Sequence, residues 1–136
     1  MVIQQARDFI AANHRGVLLT FRADGAPQMS PILANVDQGG FVVVSSRETA
    51  YKVKNLERDP RASLCMFVDR FYGQWFQVDG VAEVVRLPEA MEPLVDYYRS
   101  VSGEHPDWEE YREAMRRERR VLIRISVQRA GPTRHG

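Results

Sequence analysis

Residues 16–36, GVLLTFRADGAPQMSPILANV, have the pattern of a β-hairpin. Residues 17–21 form an apolar run, Asp24-Gly25 supplies a tight turn, and residues 28–36 form the returning strand. Asp-Gly favours two-residue hairpin turns because both positions there require positive φ. A third strand is predicted at residues 41–46, FVVVSS, whose β-branched run is typical of a strand buried on both faces. The sheet therefore begins with three successive antiparallel strands.

Short helices flank and interrupt the predicted sheet. Apolar residues recur at helical spacing from Ile3 to Ile10, and Asn13 and Gly16 are typical of a helix end. The remaining helices are predicted over residues 48–58, 88–101 and 107–117, and the remaining strands over residues 62–68, 74–85 and 121–127. Asp79-Gly80 indicates a β-bulge in the longest strand.

The order of these elements predicts the fold class. Six strands with mostly tight connections and short helices between them predict a mainly β protein with flanking helices, arranged as a six-stranded antiparallel barrel. The length of 136 residues suits one domain, which we assign to residues 1–130, followed by a flexible tail at residues 131–136.

Composition and charge argue against several classes of protein. Nineteen Lys and Arg balance eighteen Asp and Glu, so the chain lacks the positive field that attracts nucleic acid, and no nucleic-acid partner is expected. No apolar run approaches the roughly 18 residues that span a bilayer, so we expect a cytoplasmic protein with no membrane association. One cysteine and three histidines, at no metal-ligand spacing, predict no internal disulfide and no metal site. Cys65 lies in an apolar run and is expected to be buried and inert.

The most informative stretch for chemistry is residues 45–56, SSRETAYKVKNL. It places two hydroxyls, Arg47, and then Lys52 and Lys54 where a buried strand gives way to a helix. Such a junction suits a phosphate, because the first amides of a helix are unpaired donors and nearby cations add charge-assisted hydrogen bonds. A solvated basic helix face fits the same composition. Composition alone leaves both alternatives open.

The order of the motifs resembles a known family. PQMSP at residues 27–31, the buried strand, residues 45–52 and NLERDPRAS at residues 55–63 follow one another as in the pyridoxamine 5'-phosphate oxidase-like split β-barrels, which hold FMN or the deazaflavin coenzyme F420. GEHPDWEEYR at residues 103–112 resembles the F420-dependent branch. The resemblance extends from about residue 9 to residue 127 and implies a split form of the predicted barrel.

The resemblance also implies where a cofactor binds. The serines and Arg47 would lie along the cofactor, Lys52 at its phosphate with Lys54 nearby, and residues 28–31 beside its ring, chiefly through backbone groups. The family's sites lie at a dimer interface, so two further residues are expected to close the site from the second subunit of a homodimer. The implied cofactor-binding residues are Gln28, Met29, Ser30, Pro31, Ser45, Ser46, Arg47, Lys52 and Lys54, with Gln74 and Trp75 from the second subunit. No catalytic side chain is nominated, because the cofactor carries the reaction.

The choice of cofactor depends on charge. F420 carries several tail carboxylates besides a phosphate, so it needs a longer basic path than FMN does. Such a path is offered by Arg47, Lys52, Lys54, Arg58 and Arg61. We therefore predict an F420H2-dependent oxidoreductase that transfers hydride to a small conjugated or electron-poor organic acceptor. The alternatives are an FMN-dependent pyridoxamine 5'-phosphate oxidase-like oxidoreductase and a noncatalytic F420, flavin or haem carrier.

A homodimer is also favoured by aromatic residues in and before the strand at residues 74–85. These residues are Phe71, Tyr72, Trp75 and Phe76. We expect them to be buried against a second copy of the chain, because exposed aromatic clusters mark interaction surfaces.

Overall fold

The predicted hairpin forms, and the sheet extends outward from it. The computed structural model describes residues 2–131 together with the backbone of residues 134 and 135. Within those residues the helices are α1 (Val2–Ala12), α2 (Tyr51–Arg58), α3 (Met91–Ser102) and α4 (Trp108–Arg117). The strands are β1 (Arg15–Phe21), β2 (Pro27–Leu33), β3 (Asn35–Val36), β4 (Val42–Arg47), β5 (Arg61–Phe67), β6 (Gln74–Val85), β7 (Arg120–Ala130) and β8 (Arg134–His135). None of the described helices has the length and apolar character needed to cross a membrane.

The strands pair antiparallel in one curled sheet. Its hydrogen-bonded path runs β2-β1-β5-β6-β7-β4-β3, and β8 pairs with the start of β6. The two ends of this path, β2 and β3, are separated only by Ala34, so the sheet must curl back on itself into a half-barrel. The fold is therefore mainly β with flanking helices, as predicted, and is consistent with a split barrel.

The predicted count of six strands was wrong. The returning strand of the hairpin breaks at Ala34, whose N–H donates to the carbonyl of His14 at 2.8 Å. Beyond the break, Asn35 and Val36 pair with β4 instead of β1. The described residues thus form seven strands on the main path, with the two-residue β8 in addition. Periodicity along a single strand does not reveal such a change of partner, because it reports only which side each residue faces.

The predicted tail lies partly within the described residues. There the backbone of Arg134 and His135 pairs with Trp75 and Gln74 at the start of β6. Residues 132, 133 and 136 lie outside the described residues. The division into a domain at residues 1–130 and a tail therefore stays a prediction.

Alternate residues of the long strands fill the interior of the half-barrel. Leu18, Met66 and Ile123 are each exposed by 1% or less. α1 packs onto this interior, where the ring centres of Phe9 and Phe76 lie 5.1 Å apart. Phe76 therefore belongs to the protein's own core, and its predicted place in a subunit interface was wrong. Alternation along β6 turns Phe76 inward and the preceding residue outward.

The outer side of the sheet is covered on one half only. On β4 and β7, Val43 and Leu122 are buried beneath α3 and α4, in a cluster with Leu94 and Tyr111. We call this half the covered face. The outward side of β2, β1, β5 and β6 is the bare face, and its apolar members include Val17, Leu19, Phe21, Met29, Pro31, Leu33, Cys65, Phe67, Trp75 and Val81.

The bare face keeps apolar side chains in contact with solvent. Met29 is 67% exposed, Leu33 is 44% exposed, and Cys65 is exposed as well. The expectation that Cys65 is buried was wrong, because its neighbours Leu64 and Met66 point into the barrel and it faces the other way. An apolar sheet face of this kind marks an interaction surface.

Candidate functional site

The predicted phosphate site is the junction of β4 and α2, residues 45–52, which we call the anion corner. β4 ends at Arg47, and α2 begins at Tyr51, three residues later than predicted. The N–H of Glu48 donates to the carbonyl of Arg119 at 3.0 Å, so the chain turns here before it becomes helical. The helical composition of residues 48–58 did not reveal this turn, because its partner lies at the start of β7.

The first amides of α2 are free donors. Ala50 precedes the helix with an extended backbone, and its side chain provides no cap. No described residue accepts a hydrogen bond from the N–H of Tyr51 or Lys52. Unpaired amides at a helix start attract anions, because they carry the positive end of the helix dipole. The anion corner therefore offers two backbone donors to a bound anion.

Three cations surround these donors. Lys52 lies in the first turn of α2, where burial, followed by the nearby charge of Arg120, lowers its pKa. Arg120 faces Arg47 across the β4–β7 ladder. One carboxylate, Glu118, pairs with both arginines, at 2.9 Å from Arg120 and 3.6 Å from Arg47. Three cations against one acid leave surplus positive charge, which a phosphate would neutralise.

Sequence reasoning missed Arg120 as a site residue. It begins β7, and the register of β7 against β4 brings it beside the anion corner. Arg124 lies four residues further along β7 on the same side. It pairs instead with Glu83 at 3.4 Å and with Asp37 at 3.9 Å. Strand alternation in the sequence places both arginines on one face, but only the register between strands distinguishes them.

An ion-pair network holds the turn that follows Arg47. Glu48 accepts hydrogen bonds from Arg119 Nε at 2.6 Å and from Arg86 Nη1 at 3.0 Å. Arg86 also pairs with Glu57 on α2. Because the two arginines are matched by two carboxylates, this network fastens the anion corner without adding net charge to it.

The two predicted serines face opposite sides of β4. Ser46 is 3% exposed and points into the barrel, so the structure does not bring its side chain to the anion corner. Ser45 points outward with Arg47, next to Tyr97 of α3. Burial raises the pKa of Tyr97, against the smaller opposing effects of a hydrogen bond with the Ser45 backbone and a nearby charge. The Tyr97 hydroxyl donates to the carbonyl of Leu33 on β2 at 2.7 Å.

The predicted ring site lies on β2, at the edge of the sheet. In an antiparallel ladder only every second residue bonds to the neighbouring strand. Two hydrogen bonds bracket the hairpin, from Arg22 N–H to the carbonyl of Ala26 and from Ala34 N–H to the carbonyl of His14, each 2.8 Å long. Every second residue pair between these two bonds is hydrogen-bonded as well, so the backbone groups of the even-numbered residues of β2 bond to β1.

The odd-numbered backbone groups of β2 therefore point away from β1. At Met29 this leaves an N–H and a carbonyl at the open edge of the described sheet, while Pro27 and Pro31 have no N–H to offer there. The side chains of Met29 and Pro31 are exposed, and those of Gln28 and Ser30 are half-buried. The backbone of Met29 is thus available to a flat polar ring laid along the edge.

Asn55 joins the anion corner to this edge. Its side chain is 5% exposed, and its Nδ2 donates to Gln28 Oε1 at 2.7 Å and to Thr20 Oγ1 at 3.1 Å. Its Oδ1 accepts from Arg58 at 2.9 Å. The amide thereby fastens α2 to β1 and β2. The predicted phosphate site and the predicted ring site are thereby connected through one helix.

The five cations of the predicted basic path do not form one continuous surface, because Arg58 and Arg61 have partners at the far end of α2. Arg58 donates to the carbonyl of Phe21 at 3.2 Å, at the end of α2 away from the anion corner. Arg61 pairs with Asp59 at 2.7 Å and lies over the Phe21 ring at 4.4 Å, and its hydrogen bond to Asp59 lowers the pKa of that carboxyl. Lys54 is exposed and has no acidic partner among the described residues. Of the predicted cations outside the anion corner, Lys54 is therefore the one that could bind a second anionic group.

Gln74 and Trp75 lie at the other end of the molecule. The end of β6 that approaches the anion corner is Val85, which pairs with Leu122, and Leu122 pairs with Ser45. Gln74 is about 35 Å from Val85 along the strand, at roughly 3.3 Å per residue. Within one chain these two residues are not brought to the site, and their predicted role depends on a second subunit.

Comparison with known proteins gives one family and a shared fold. The family model described as pyridoxamine 5'-phosphate oxidase matches residues 2–133. A conserved hypothetical protein from Mycobacterium tuberculosis is 28% identical, with a TM-score of 0.77 over 96% of this chain and 82% of that one. A solved F420 reductase is 17% identical, with a TM-score of 0.72 over 92% and 94%. The haem storage protein HutZ from Vibrio cholerae is 21% identical, with a TM-score of 0.74 over 99% and 96%.

Proposed function

The chain belongs to the pyridoxamine 5'-phosphate oxidase family, and we propose that within it the protein is an F420H2-dependent oxidoreductase. Its acceptor is a small conjugated or electron-poor organic molecule. The observation that carries this proposal is the anion corner. There α2 supplies two free amides and Lys52, the facing strand ends supply Arg47 and Arg120, and Asn55 fastens α2 to the open edge of β2.

The residues present fit the proposed cofactor. Lys52, Arg47 and Arg120 would hold its phosphate together with the amides of α2. The N–H and carbonyl of Met29 would bind polar atoms of its ring. When bound, F420H2 supplies a hydride to the acceptor, which also takes up a proton, and leaves as oxidised F420. The protein's own part is to hold the ring and acceptor together and to exclude water.

The preference for F420 over FMN rests on charge beyond the phosphate. Both cofactors have a phosphate and a flat ring, so the anion corner and the β2 edge suit either. Lys54 follows Lys52 on the exposed side of α2 and has no acidic partner in the described chain, so it offers a site to a tail carboxylate that FMN lacks. The shared fold of the solved F420 reductase supports the same choice.

We propose that the working form is a homodimer. The bare face carries Met29 and Leu33 exposed by 67% and 44%, and a second copy would bury them. Gln74 and Trp75 begin a strand of the same half of the sheet, and they would close the site of the opposite subunit. Phe71 and Tyr72, which are exposed by 82% and 66%, would add to this contact.

A noncatalytic carrier is the second candidate. It is favoured by the likeness in fold to a protein described as a haem storage protein. The two candidates need the same pocket, so they differ only in whether an acceptor is reduced.

The test begins with the absorbance spectrum of the purified protein, followed by fluorescence titration with F420, FMN and haem. We expect F420 to bind more tightly than FMN, and F420H2 to be oxidised when quinones, enones or nitroaromatics are added. A yellow protein with tightly bound FMN would overturn the choice of F420. Tight F420 binding without oxidation by any acceptor would favour the carrier.

A further inference from the structure

A cavity of about 580 Å³, which we call the side cleft, lies between α3 and the turn that joins β3 to β4. Its volume is in the range of sites for small molecules. Half-buried Val36, Pro93 and Tyr97 give it an apolar surface, with the buried Val43 and Leu122 of the covered face beneath them, and Ser100 of α3 lines one wall. The side cleft therefore offers an apolar surface to a flat molecule within a polar rim.

The side cleft reaches the edge of β2 through one residue. Tyr97 lines the cleft, and its hydroxyl donates to the carbonyl of Leu33, two residues beyond Pro31. Tyr97 also lies next to Ser45 of the anion corner. A molecule in the side cleft would thus lie beside the strip of β2 that we assign to the ring.

One arginine of the cleft wall is already neutralised. Arg99 pairs with Glu104 at 2.9 Å and with Asp96 at 3.7 Å. Its guanidinium also lies over the Trp108 ring at 4.8 Å. Arg99 therefore has acidic and aromatic partners that an anionic ligand would need to replace.

The charge of the second arginine of the cleft is also balanced by nearby carboxylates. Arg124 lies 3.4 Å from Glu83 and 3.9 Å from Asp37. Its Nε is buried and has no hydrogen-bond partner, so a ligand has no direct access to it. The two arginines lining the cleft are thus matched by two lining aspartates, in contrast to the surplus of cations at the anion corner.

We propose that the side cleft is the acceptor site and that it takes flat, uncharged conjugated carbonyl compounds in preference to anionic ones. An uncharged ring would bury apolar area on Val36, Pro93 and Tyr97. A carboxylate or phosphate would gain no free cation there and would meet Asp37 and Asp96. The role as acceptor site rests on the proposed function, whereas the preference for uncharged ligands is a property of the cleft itself.

The binding test uses the full-length protein without cofactor and a matched pair of ligands, chromone and chromone-2-carboxylate. Methyl NMR signals of Val36, Val43 and Leu122 report occupancy of the cleft. We expect saturable shifts of these signals with chromone, and an affinity about tenfold lower for the carboxylate, which corresponds to one unfavourable charge contact.

Two pairs of variants locate the effect. Ser100→Phe narrows the cleft and is expected to weaken chromone binding, whereas Ser102→Phe, at an exposed position of α3 outside the cleft, serves as its control. Asp96→Lys is expected to remove most of the difference between the two ligands. Glu109→Lys, on exposed α4, makes the same change in net charge elsewhere and is expected to leave the difference in place.

Equal or tighter binding of the carboxylate to the unaltered protein would overturn the proposal, as would chromone shifts confined to residues outside the cleft. No effect of Ser100→Phe would overturn it as well. Because these readouts need no cofactor, they are independent of the F420 titration. A protein that binds chromone in the cleft but no F420 would retain the ligand preference and lose the proposed function.

Discussion

The covered face and the bare face belong to one sheet but differ in what shields them. Val43 on β4 is 4% exposed, whereas Met29 on β2 is 67% exposed. Both lie on the outer side of strands with the same alternation. The difference is that α3 and α4 follow β6 in the chain and return over β4, β7 and the end of β6 at Val85.

This contrast separates the half that carries the proposed binding sites from the half that is proposed to form the dimer contact. The covered face is completed by its own helices, and the anion corner and the side cleft lie along it. The bare face has no cover from the described helices, so it is the half on which a second copy would act. The halves are joined by the pairing of β6 with β7, and Asn55 fastens α2, which follows β4, to β1 and β2 of the bare half through its bonds to Thr20 and Gln28.

The largest expected effect is on the covered face. Combined Arg47→Ala and Lys52→Ala removes two charge-assisted contacts of about 2 kcal/mol each, so F420 affinity is expected to fall about 1000-fold. Fluorescence titration measures the loss. Arg22→Ala, an exposed cation on the hairpin, is expected to change the affinity by less than about twofold. A loss below about tenfold for the double variant would contradict the assigned phosphate site.

The next effect tests the bare face. Val17→Glu places a carboxylate in the middle of this face, and desolvating it is expected to raise the dimer dissociation constant about 100-fold. Sedimentation velocity distinguishes the monomer from the dimer and measures the change. Val2→Glu makes the same replacement on exposed α1 and is expected to leave the dimer intact. An unaltered protein that sediments as a monomer at micromolar concentration would refute the dimer.

A smaller effect is expected at Asn55, which fastens α2 to β1 and β2. Asn55→Ala leaves Gln28, Thr20 and Arg58 without the partner that the buried amide provides, so the free energy of unfolding is expected to fall by about 2 kcal/mol. Urea denaturation measures it, with Gln38→Ala in an exposed turn as the control. F420 affinity is expected to fall too, because α2 would no longer be held against β2. Unchanged stability and unchanged affinity would show that other contacts hold α2 against β1 and β2.

The smallest effect is the dependence of cofactor binding on pH. Burial and Arg120 lower the pKa of Lys52, so it loses its proton below the ordinary 10.5. F420 affinity is therefore expected to decline as the pH rises through the lowered pKa, by up to about tenfold per pH unit. Lys52→Arg keeps its charge and is expected to show a flatter profile. Identical profiles for the two proteins would mean that Lys52 does not contact the bound anion.

The same shift has the opposite consequence for stability. Lys52 holds its proton less firmly in the folded than in the unfolded chain, so unfolding takes up protons between the lowered pKa and 10.5. Over that window the free energy of unfolding is expected to rise with pH. The rise is expected to be absent in Lys52→Met, and urea denaturation at several alkaline pH values measures it.

Local patterns were sufficient for much of the fold. The bulge indicated by Asp79-Gly80 is present as a register shift between these two residues. Within the run predicted to be buried on both faces, Val42, Val43 and Val44 are exposed by 4% or less, whereas Phe41 at its start is 37% exposed. Asp107, at the predicted start of the last helix, accepts a hydrogen bond from the N–H of Glu110. Each of these features depends on neighbours in sequence, which the pattern contains.

Only part of the candidate site could be predicted from local sequence patterns. The grouping of Arg47 with Lys52 follows from a strand that is joined to a helix by a short turn. The contributions of Arg120 and Tyr97 depend on register and on helix packing, and no spacing in the sequence relates them to Ser45. Asn55 stood in the motif that resembles the family, but its partners on β1 and β2 could not be named.

The sequence by itself determined which segments become strands and helices, and where cations follow a buried strand. The tertiary structure alone decided that the sheet changes partner at Ala34, that one face is covered and the other bare, and that Arg120 joins the anion corner. The reason is physical. Turn geometry and side-chain alternation act between near neighbours, whereas register and packing are set by contacts between segments far apart in the chain.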